Sequence, residues 1–191
     1  MSTPALAPNL VEAACAGDSR ALDTLAARCA PLVLGWCRRL CGPRVNAEDA
    51  AQDVLERVLK RIHTLQDPDL LEPWLFGITR RRIADLRRLC WAHRWVPGLV
   101  IDGPSAGDDA ERLAGLSELS RRVQRTLDAL PIRERELLVL VHVEGRTSAE
   151  TAAFLGVPVG TVKSRLLSAR TRFARIARRH GLVPGLVEVP R

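Results

Sequence analysis

Residues 147–181 read TSAETAAFLGVPVGTVKSRLLSARTRFARIARRHG, and this stretch decides the fold of the C-terminal part of the chain. Thr147 and Glu150 match the S/T-x-x-E capping box, which predicts that a helix begins here. The helix is expected to end at Gly156, and the Gly-Val-Pro sequence predicts a tight turn before a second helix near Val159. A short helix, a glycine-containing turn and a second helix together predict a helix-turn-helix. The residues expected to face inward on the first helix are Ala152, Ala153 and Leu155.

The second helix of this pair has one apolar face and one strongly basic face. Its apolar residues recur at helical spacing and predict the buried side: Val162, Leu166, Ala169 and Phe173. Residues 156–180 contain seven bases and no acids: Lys163, Arg165, Arg170, Arg172, Arg175, Arg178 and Arg179. An α-helix fits the major groove of B-DNA, where its side chains reach base edges and phosphates. The pattern therefore indicates a reader of duplex DNA, and the alternative interpretation is a solvated basic face on an ordinary helical hairpin.

The rest of the chain also shows helical periodicity, without strand alternation. AEDAAQDVLERVLKRI, residues 47–62, follows the potential cap Asn46 and spaces its apolar residues at i, i+3 and i+4. Pro31 predicts a kink or break in the segment 19–41. WLFGITRRRIADLRRLCW, residues 74–91, predicts a further helix whose expected buried residues are Leu75, Ile78, Ile83, Leu86 and Leu89 or Cys90.

Glycine, proline and aspartate are enriched in VPGLVIDGPSAGDDAERLAG, residues 96–115, and this composition is typical of a linker. The expected fold class is therefore all-α. We expect two small helical domains at 9–96 and 118–180, a flexible linker at 97–117 and a tail at 181–191. The helix-turn-helix belongs to the second domain.

Composition excludes several classes of function. The 191 residues carry a formal net charge of +7, and arginine supplies 27 of the 29 basic residues. The arginine guanidinium suits phosphates and base edges. No apolar run approaches the ~20 residues that span a bilayer, and the N-terminus lacks the basic and apolar regions of a secretory signal, so we expect a cytoplasmic protein with no membrane insertion. The sequence contains no GxxxxGK[ST], HExxH or GxSxG motif, so neither an enzyme nor a cofactor is expected.

The five cysteines leave a metal or redox sensor as an alternative: Cys15, Cys29, Cys37, Cys41 and Cys90. Cys37 and Cys41 lie four residues apart on one helical segment and could share a site. Cys29 would lie about 12 Å from Cys37 along a continuous helix, which is too far for one tetrahedral zinc. Buried free thiols are therefore the preferred interpretation, and no metal is expected.

Two sets of motifs carry a resemblance to a known family. Residues 128–173, DALPIRERELLVLVHVEGRTSAETAAFLGVPVGTVKSRLLSARTRF, closely resemble region 4 of bacterial extracytoplasmic-function (ECF) sigma factors. Upstream, LAARCAPLVLGWCRRL, AEDAAQDVLERVLKRI and EPWLFGITRRRIADLRR resemble region 2 of the same family, in the family's order. The resemblance covers roughly residues 9–178. It implies a sigma-70-type factor that binds core RNA polymerase and directs promoter-specific initiation, whereas a stand-alone helix-turn-helix regulator is the alternative.

The resemblance also assigns the two promoter elements to separate residues. The second domain is expected to read the −35 element through Thr161, Lys163, Ser164, Arg165, Leu167, Ser168 and Arg170. The first domain is expected to capture and melt the −10 element through His63, Thr64, Leu65, Gln66, Asp67, Trp74, Arg80, Arg81, Asp85, Arg87 and Arg88. Arg81 departs from the asparagine that many relatives carry at this position, which is associated with melting.

The partners implied by the resemblance are protein and DNA. Core RNA polymerase, through its largest and second-largest subunits, is expected to meet the helix at 47–62 by way of Glu48, Asp49, Gln52, Asp53 and Glu56. Promoter DNA is the second expected partner. An anti-sigma protein that hides the polymerase-binding faces is the third.

Overall fold

The computed structural model describes residues 8–92 and 116–182, and the helices there are amphipathic segments whose apolar faces meet in two compact units. No strand occurs among these residues, so the all-α prediction is confirmed. The chain divides into residues 1–109 and 110–191. The predicted linker at 97–117 lies outside the described residues except for Leu116 and Ser117. The tail lies outside them from residue 183 onward, so the domain boundaries stay predictions.

Within residues 8–92, the first unit has four α-helices: α1 (Pro8–Cys15), α2 (Ser19–Leu40), α3 (Ala47–Arg61) and α4 (Leu71–Ala92). Asn46 caps α3 as predicted, because its side-chain oxygen accepts from the backbone N–H of Glu48 at 2.9 Å and of Asp49 at 3.0 Å. Pro31 does not break α2, which continues through it. Two 3₁₀ turns, Ile62–Thr64 and Pro68–Leu70, connect α3 to α4.

The core of the first unit forms where α2, α3 and α4 pack together. Trp36 and Phe76 are each 1% exposed, and their rings meet edge to face with centroids 5.0 Å apart. Leu75, Ile78 and Ile83 are buried on α4 as predicted. The prediction was wrong at the end of this helix, because Leu89 is 50% exposed and Leu86 and Cys90 are half-buried.

The described part of the second unit, residues 116–182, also has four α-helices: α5 (Glu118–Asp128), α6 (Ile132–Leu138), α7 (Ser148–Leu155) and α8 (Val159–Arg179). A π-helical turn, Val139–Val143, continues α6. The core is built from Leu127, Leu130, Leu137, Leu138, Ala152, Val162, Leu166 and Ala169. On α7, Ala153 was expected inside but is exposed, and Thr151 and Phe154 are buried beside Ala152.

A buried ion pair joins α5 to α6 in the second unit. The Arg135 side chain is fully buried, and its guanidinium donates to the Asp128 carboxylate at 3.1 Å and to the Asp128 carbonyl at 2.5 Å. The same group lies 3.4 Å from the Leu130 carbonyl. A buried charge costs folding free energy unless it is paired and hydrogen-bonded, so these contacts hold the α5–α6 corner in one geometry.

Candidate nucleic-acid interface

The turn between α7 and α8 has the geometry that the sequence predicts. Thr147 and Glu150 form a reciprocal capping box: the Thr147 N–H donates to the Glu150 carboxylate at 2.7 Å, and the Glu150 N–H donates to the Thr147 hydroxyl at 3.1 Å. The Glu150 carboxylate interacts with the Thr147 backbone N–H and, to a smaller extent, with the Thr147 side chain, and these interactions hold the pKa of that carboxyl below its usual value. Gly156 ends α7 with a φ of +65°, a left-handed conformation that other residues adopt at a cost. The first helix of the helix-turn-helix therefore begins and ends at defined caps.

The two faces of α8 are clearly separated by burial. Val162, Leu166 and Ala169 are at most 5% exposed and pack into the core of the second unit, and Phe173 packs partly against it. On the opposite face Leu167 is 68% exposed. Of the residues predicted to read the −35 element, the exposed ones on α8 are Lys163, Ser164, Arg165, Leu167 and Ser168; Thr161 and Arg170 are half-buried.

The hydroxyl groups on the exposed face of α8 bond back to their own helix. Ser164 donates to the Thr161 carbonyl at 3.2 Å, and Ser168 donates to the Ser164 carbonyl at 3.3 Å. Thr171 donates to the Leu167 carbonyl at 3.0 Å. These short side chains lie close to the helix, so an incoming surface can approach the backbone here.

Side chains from outside α8 hold two of its arginines. The Arg170 Nε–H donates to Nε2 of His142, in the π-helical turn, at 3.2 Å. Arg172 Nε lies 3.2 Å from the Glu134 carboxylate on α6. Partial burial, and then the charge of Arg170, lower the pKa of His142, which favours the neutral ring that can accept this hydrogen bond. Sequence periodicity did not identify His142 or Glu134, because both contacts depend on how α6 and its π-turn pack against α8.

A groove of about 360 Å³ lies between the start of α6 and the exposed face of α8. It brings together three residues of the −35 prediction, Ser164, Arg165 and Ser168, with side chains that the prediction did not include: Pro131, Arg133 and Glu134. Arg133 and Arg165 outnumber the single acid Glu134 in this lining, so the groove has a net positive charge.

The segment predicted to capture the −10 element lies between α3 and α4. His63, Thr64, Gln66 and Asp67 are exposed, whereas Leu65 is half-buried. The Asp67 carboxylate accepts from the Asp69 N–H at 2.9 Å and so caps the second 3₁₀ turn. The segment is therefore locally structured by its own hydrogen bonds while it exposes polar side chains.

The α4 residues predicted to contact the −10 element differ in exposure and in their partners. Arg81 is exposed, and Trp74 and Arg80 are half-buried. Arg88 pairs with Asp85 within the helix, and Arg87 lies 3.4 Å from the Leu40 carbonyl at the end of α2. Arg81 and Arg88 therefore extend furthest toward solvent, and Arg87 is also used to pack α4 against α2.

The acidic residues of α3 include one that joins two helices. The Asp53 carboxylate accepts from Arg57 on α3 at 2.9 Å and also from Arg82 on α4. Burial raises the pKa of Asp53, but hydrogen bonds from these two arginines outweigh that effect and lower it below its usual value. Asp53 was predicted to contact a partner, and the structure gives its carboxylate an intramolecular role that the sequence did not indicate.

The other residues of that predicted surface are more available. Asp49 and Gln52 are exposed. Glu48 pairs with Arg38 on α2 at 2.8 Å, and Glu56 lies 3.8 Å from Lys60. Exposed pairs of this kind are worth ~0–1 kcal/mol and exchange readily for an intermolecular partner.

The cysteines carry free thiols. Cys29, Cys37 and Cys41 are buried in the first unit, and burial raises the pKa of Cys29 to about 11. Cys15 and Cys90 are half-buried and donate to backbone carbonyls at 3.3 Å. Within residues 8–92 and 116–182, no group of three or more histidine, cysteine or acidic side chains is arranged to hold a metal ion. No helix within these same ranges combines the length and apolar character that crossing a bilayer requires.

Comparison with known proteins identifies both units. Residues 25–89 match the family model for sigma-70 region 2, and residues 120–173 match that for sigma-70 region 4. The chain is 34% identical to the ECF RNA polymerase sigma factor ShbA of Streptomyces griseus over 178 residues, which cover 88% of this chain and 93% of ShbA.

Two solved structures share the fold. One is CnrH in complex with the cytosolic domain of CnrY, with a TM-score of 0.63 and 27% identity over 90% of this chain and 97% of CnrH. The other is the sigma factor RpoE of Bartonella quintana in complex with the anti-sigma factor NepR, with a TM-score of 0.55 and 25% identity over 78% of this chain and 93% of RpoE.

A helix-turn-helix unit with a basic second helix, together with matches to both sigma-70 regions in order, defines a DNA-binding transcription factor. The chain belongs to the ECF RNA polymerase sigma factors, which confirms the resemblance drawn from its motifs. Its function is promoter-specific initiation of transcription with RNA polymerase. Sigma factors are transcription initiation factors.

Proposed function

We propose that the two units divide promoter recognition between them in the cytoplasm, where RNA polymerase acts. The second unit reads the −35 element as duplex DNA, and the first unit binds core polymerase and opens the −10 element. One observation carries the proposal: α8 follows a capped turn, contains seven bases and no acids, and exposes the face opposite its core.

The −35 element enters against the exposed face of α8. Lys163 is exposed on the second turn of the helix, where side chains reach base edges. Arg170 and Arg172 are supported by His142 and Glu134, so their guanidinium groups lose less side-chain freedom when they meet phosphates. The exposure of Lys163 supports its role in base reading. The contacts of Arg170 and Arg172 with His142 and Glu134 support binding of these arginines to the DNA phosphates.

The −10 element meets the segment between α3 and α4. Base flipping costs a few kcal/mol, which contacts in a pocket must recover. The exposed polar side chains of His63, Thr64 and Gln66 are available for such contacts, and Trp74 follows at the start of α4. Arg81 and Arg88, both exposed, supply positive charge along which the displaced strand can lie.

Core polymerase binds the exposed side of α3. Asp49 and Gln52 are the most available residues there, because Asp53 is held between two arginines of the same unit. Carboxylates on one protein favour a basic surface on the other and speed their association. We therefore assign the principal polymerase contact to Asp49 and Gln52 and a supporting role to Asp53.

An anti-sigma protein is the third proposed partner. The Bartonella RpoE neighbour was solved in complex with the anti-sigma factor NepR, which supports a comparable partner for this chain. Such a protein would compete with core polymerase for the exposed face of α3. In a competition assay, it would release the sigma factor from core polymerase in proportion to its concentration.

Two variants separate the proposed roles. Lys163→Ala should reduce discrimination between the promoter and a duplex with a scrambled −35 element by about tenfold, with unchanged affinity for core polymerase. Asp49→Ala combined with Gln52→Ala should weaken core binding and leave −35 discrimination intact in the holoenzyme that still forms. Fluorescence titration against core polymerase and then against labelled promoter measures both quantities.

Lys60→Ala is the matched control for Lys163→Ala, since Lys60 is the other lysine of the sequence and is exposed beside Glu56. It should leave −35 discrimination unchanged. Loss of core binding by Lys163→Ala would reverse the proposed orientation of α8. Tight promoter binding without polymerase would instead favour a stand-alone regulator.

A further inference from the structure

Leu167 has the highest exposure among the large apolar side chains that the described residues present to solvent, at 68%. Its neighbour Leu166 is 5% exposed and faces the core. The core of this unit therefore includes Leu166, whereas most of the Leu167 side chain is exposed to solvent and available for contact with a partner.

The immediate surroundings of Leu167 are short and polar. Ser164 and Ser168 keep their hydroxyls against helix carbonyls at 3.2 and 3.3 Å, and Thr171 does the same at 3.0 Å. Because these side chains are short and turned back, Leu167 extends beyond them. A surface that approaches this face of α8 meets the leucine first.

Cations lie on both sides of that face. Each residue turns an α-helix by about 100°, which places Lys163 and Arg170 along one side of Leu167. The same spacing places Arg165 and Arg172 along the other side of the serines. An apolar side chain flanked by cations is complementary to a polyanion that exposes an apolar group between its phosphates.

The major groove of B-DNA displays one such group. The base edges there present hydrogen-bond donors and acceptors, and thymine alone adds a C5-methyl group, which apolar side chains contact. We propose that Leu167 contacts the methyl group of one thymine in the −35 element and so selects an A·T pair at that position. This inference rests on the proposed function, in which α8 reads the −35 duplex.

Replacing thymine by deoxyuridine tests the contact, since it removes the methyl group and keeps base pairing. Holoenzyme is titrated against a labelled duplex that carries the −35 and −10 elements of a promoter mapped with this protein, with each −35 thymine on either strand replaced in turn. One replacement should weaken binding by the wild type roughly fourfold, the effect of one buried methyl group. Leu167→Ala should bind the thymine and deoxyuridine forms equally at that position.

Two further variants make the result specific. Leu167→Met retains an apolar side chain and should keep most of the preference for thymine. Leu119→Ala removes another exposed leucine of the same unit, 43% exposed on α5, and should leave the whole series unchanged. The exposure of Leu167 predicts that Leu167→Ala folds normally, which far-UV circular dichroism checks.

Several outcomes would overturn the inference alone. The first is that no deoxyuridine replacement changes the affinity of the wild-type holoenzyme. The second is that a replacement weakens binding by Leu167→Ala as much as binding by the wild type. The third is a −35 element made only of G·C pairs. Reduced affinity of Leu167→Ala for core polymerase would assign the leucine to a protein partner instead. Absence of any promoter-specific start would overturn the proposed function and this inference with it.

Discussion

We expect His142 to act as a positioning residue for DNA binding, through its hydrogen bond with Arg170. Its Nε2 atom must be unprotonated to accept the Arg170 Nε–H, and the structure lowers the pKa of His142 below its ordinary 6.5. The supporting contact is therefore present at neutral pH. It is lost as the pH falls through the lowered pKa, where a protonated ring repels the guanidinium.

Replacing His142 should alter DNA affinity in a pH-dependent way. At pH 7.5, His142→Ala should weaken holoenzyme binding to the −35 duplex about twofold to fivefold, and His142→Gln, which keeps an acceptor, should lose less. The difference in affinity between wild type and His142→Gln should change as the pH falls through the lowered pKa of His142, because only the wild type gains a proton at residue 142. A difference that stays constant across this titration would exclude an effect of His142 protonation on DNA binding.

Asp53 is the second residue whose role comes from its pairing. Asp53→Asn should lower the free energy of unfolding of the first unit by about 1–2 kcal/mol, since it weakens contacts with Arg57 and Arg82 at a partly exposed site. Because the folded-state pKa is lowered, the wild-type stabilisation is complete above the ordinary 3.8 and is lost as the pH falls through the lowered value. The variant should lack this acid dependence.

Tryptophan fluorescence during urea unfolding measures this effect, because all four tryptophans precede residue 96. Glu56→Gln is the control, since Glu56 is exposed and 3.8 Å from Lys60, and its effect should stay within about 0.5 kcal/mol. Weaker polymerase binding by Asp53→Asn without loss of stability would make Asp53 a direct contact instead of a link between helices.

At the scale of the element, α6 depends on a charge inside the core. Arg135→Ala should cost about 3–5 kcal/mol, because it removes the buried cation that pairs with the Asp128 carboxylate and donates to the Asp128 carbonyl. Arg133→Ala, two residues earlier and exposed, should cost under about 0.5 kcal/mol. Far-UV circular dichroism during unfolding measures both, and equal effects of the two variants would contradict the buried-pair account.

Helix caps and apolar spacing carried most of the fold prediction. The capping box at Thr147, the left-handed Gly156 and the Asn46 cap are local, so a few neighbouring residues determine them. The π-helical turn at Val139–Val143 was not predicted, because it depends on packing of α6 against α8. Leu89 was misassigned because helical spacing alone does not show where the neighbouring helices stop covering α4.

The same distinction holds for the candidate site. The sequence alone showed that α8 carries seven bases and no acids, and it predicted which face of the helix is buried. The contacts of His142 with Arg170 and of Glu134 with Arg172 join residues 28 and 38 positions apart. No local sequence pattern predicts such pairs, so the roles of His142 and Glu134 as partners of the α8 arginines were found only in the structure.

At the scale of the whole molecule, promoter binding depends on charge. Each phosphate neutralised by the holoenzyme releases counterions, so affinity should fall steeply between 50 and 200 mM salt. Arg170→Gln should reduce the slope of log affinity against log salt by about one. Arg122→Gln, whose guanidinium is paired with Glu118 at 2.9 Å, should leave the slope unchanged, and equal slopes for all three proteins would exclude Arg170 from the phosphate contacts.

The central claim is that this chain gives RNA polymerase a promoter specificity of its own. The most direct measurement is transcription by purified bacterial core polymerase on a genomic fragment library, with and without the protein, followed by mapping of the 5′ ends. The account predicts new, discrete start sites that share −35 and −10 sequences and disappear with the Asp49→Ala, Gln52→Ala double variant. An unchanged set of starts, with core polymerase unbound and duplex DNA bound by the protein alone, would contradict it.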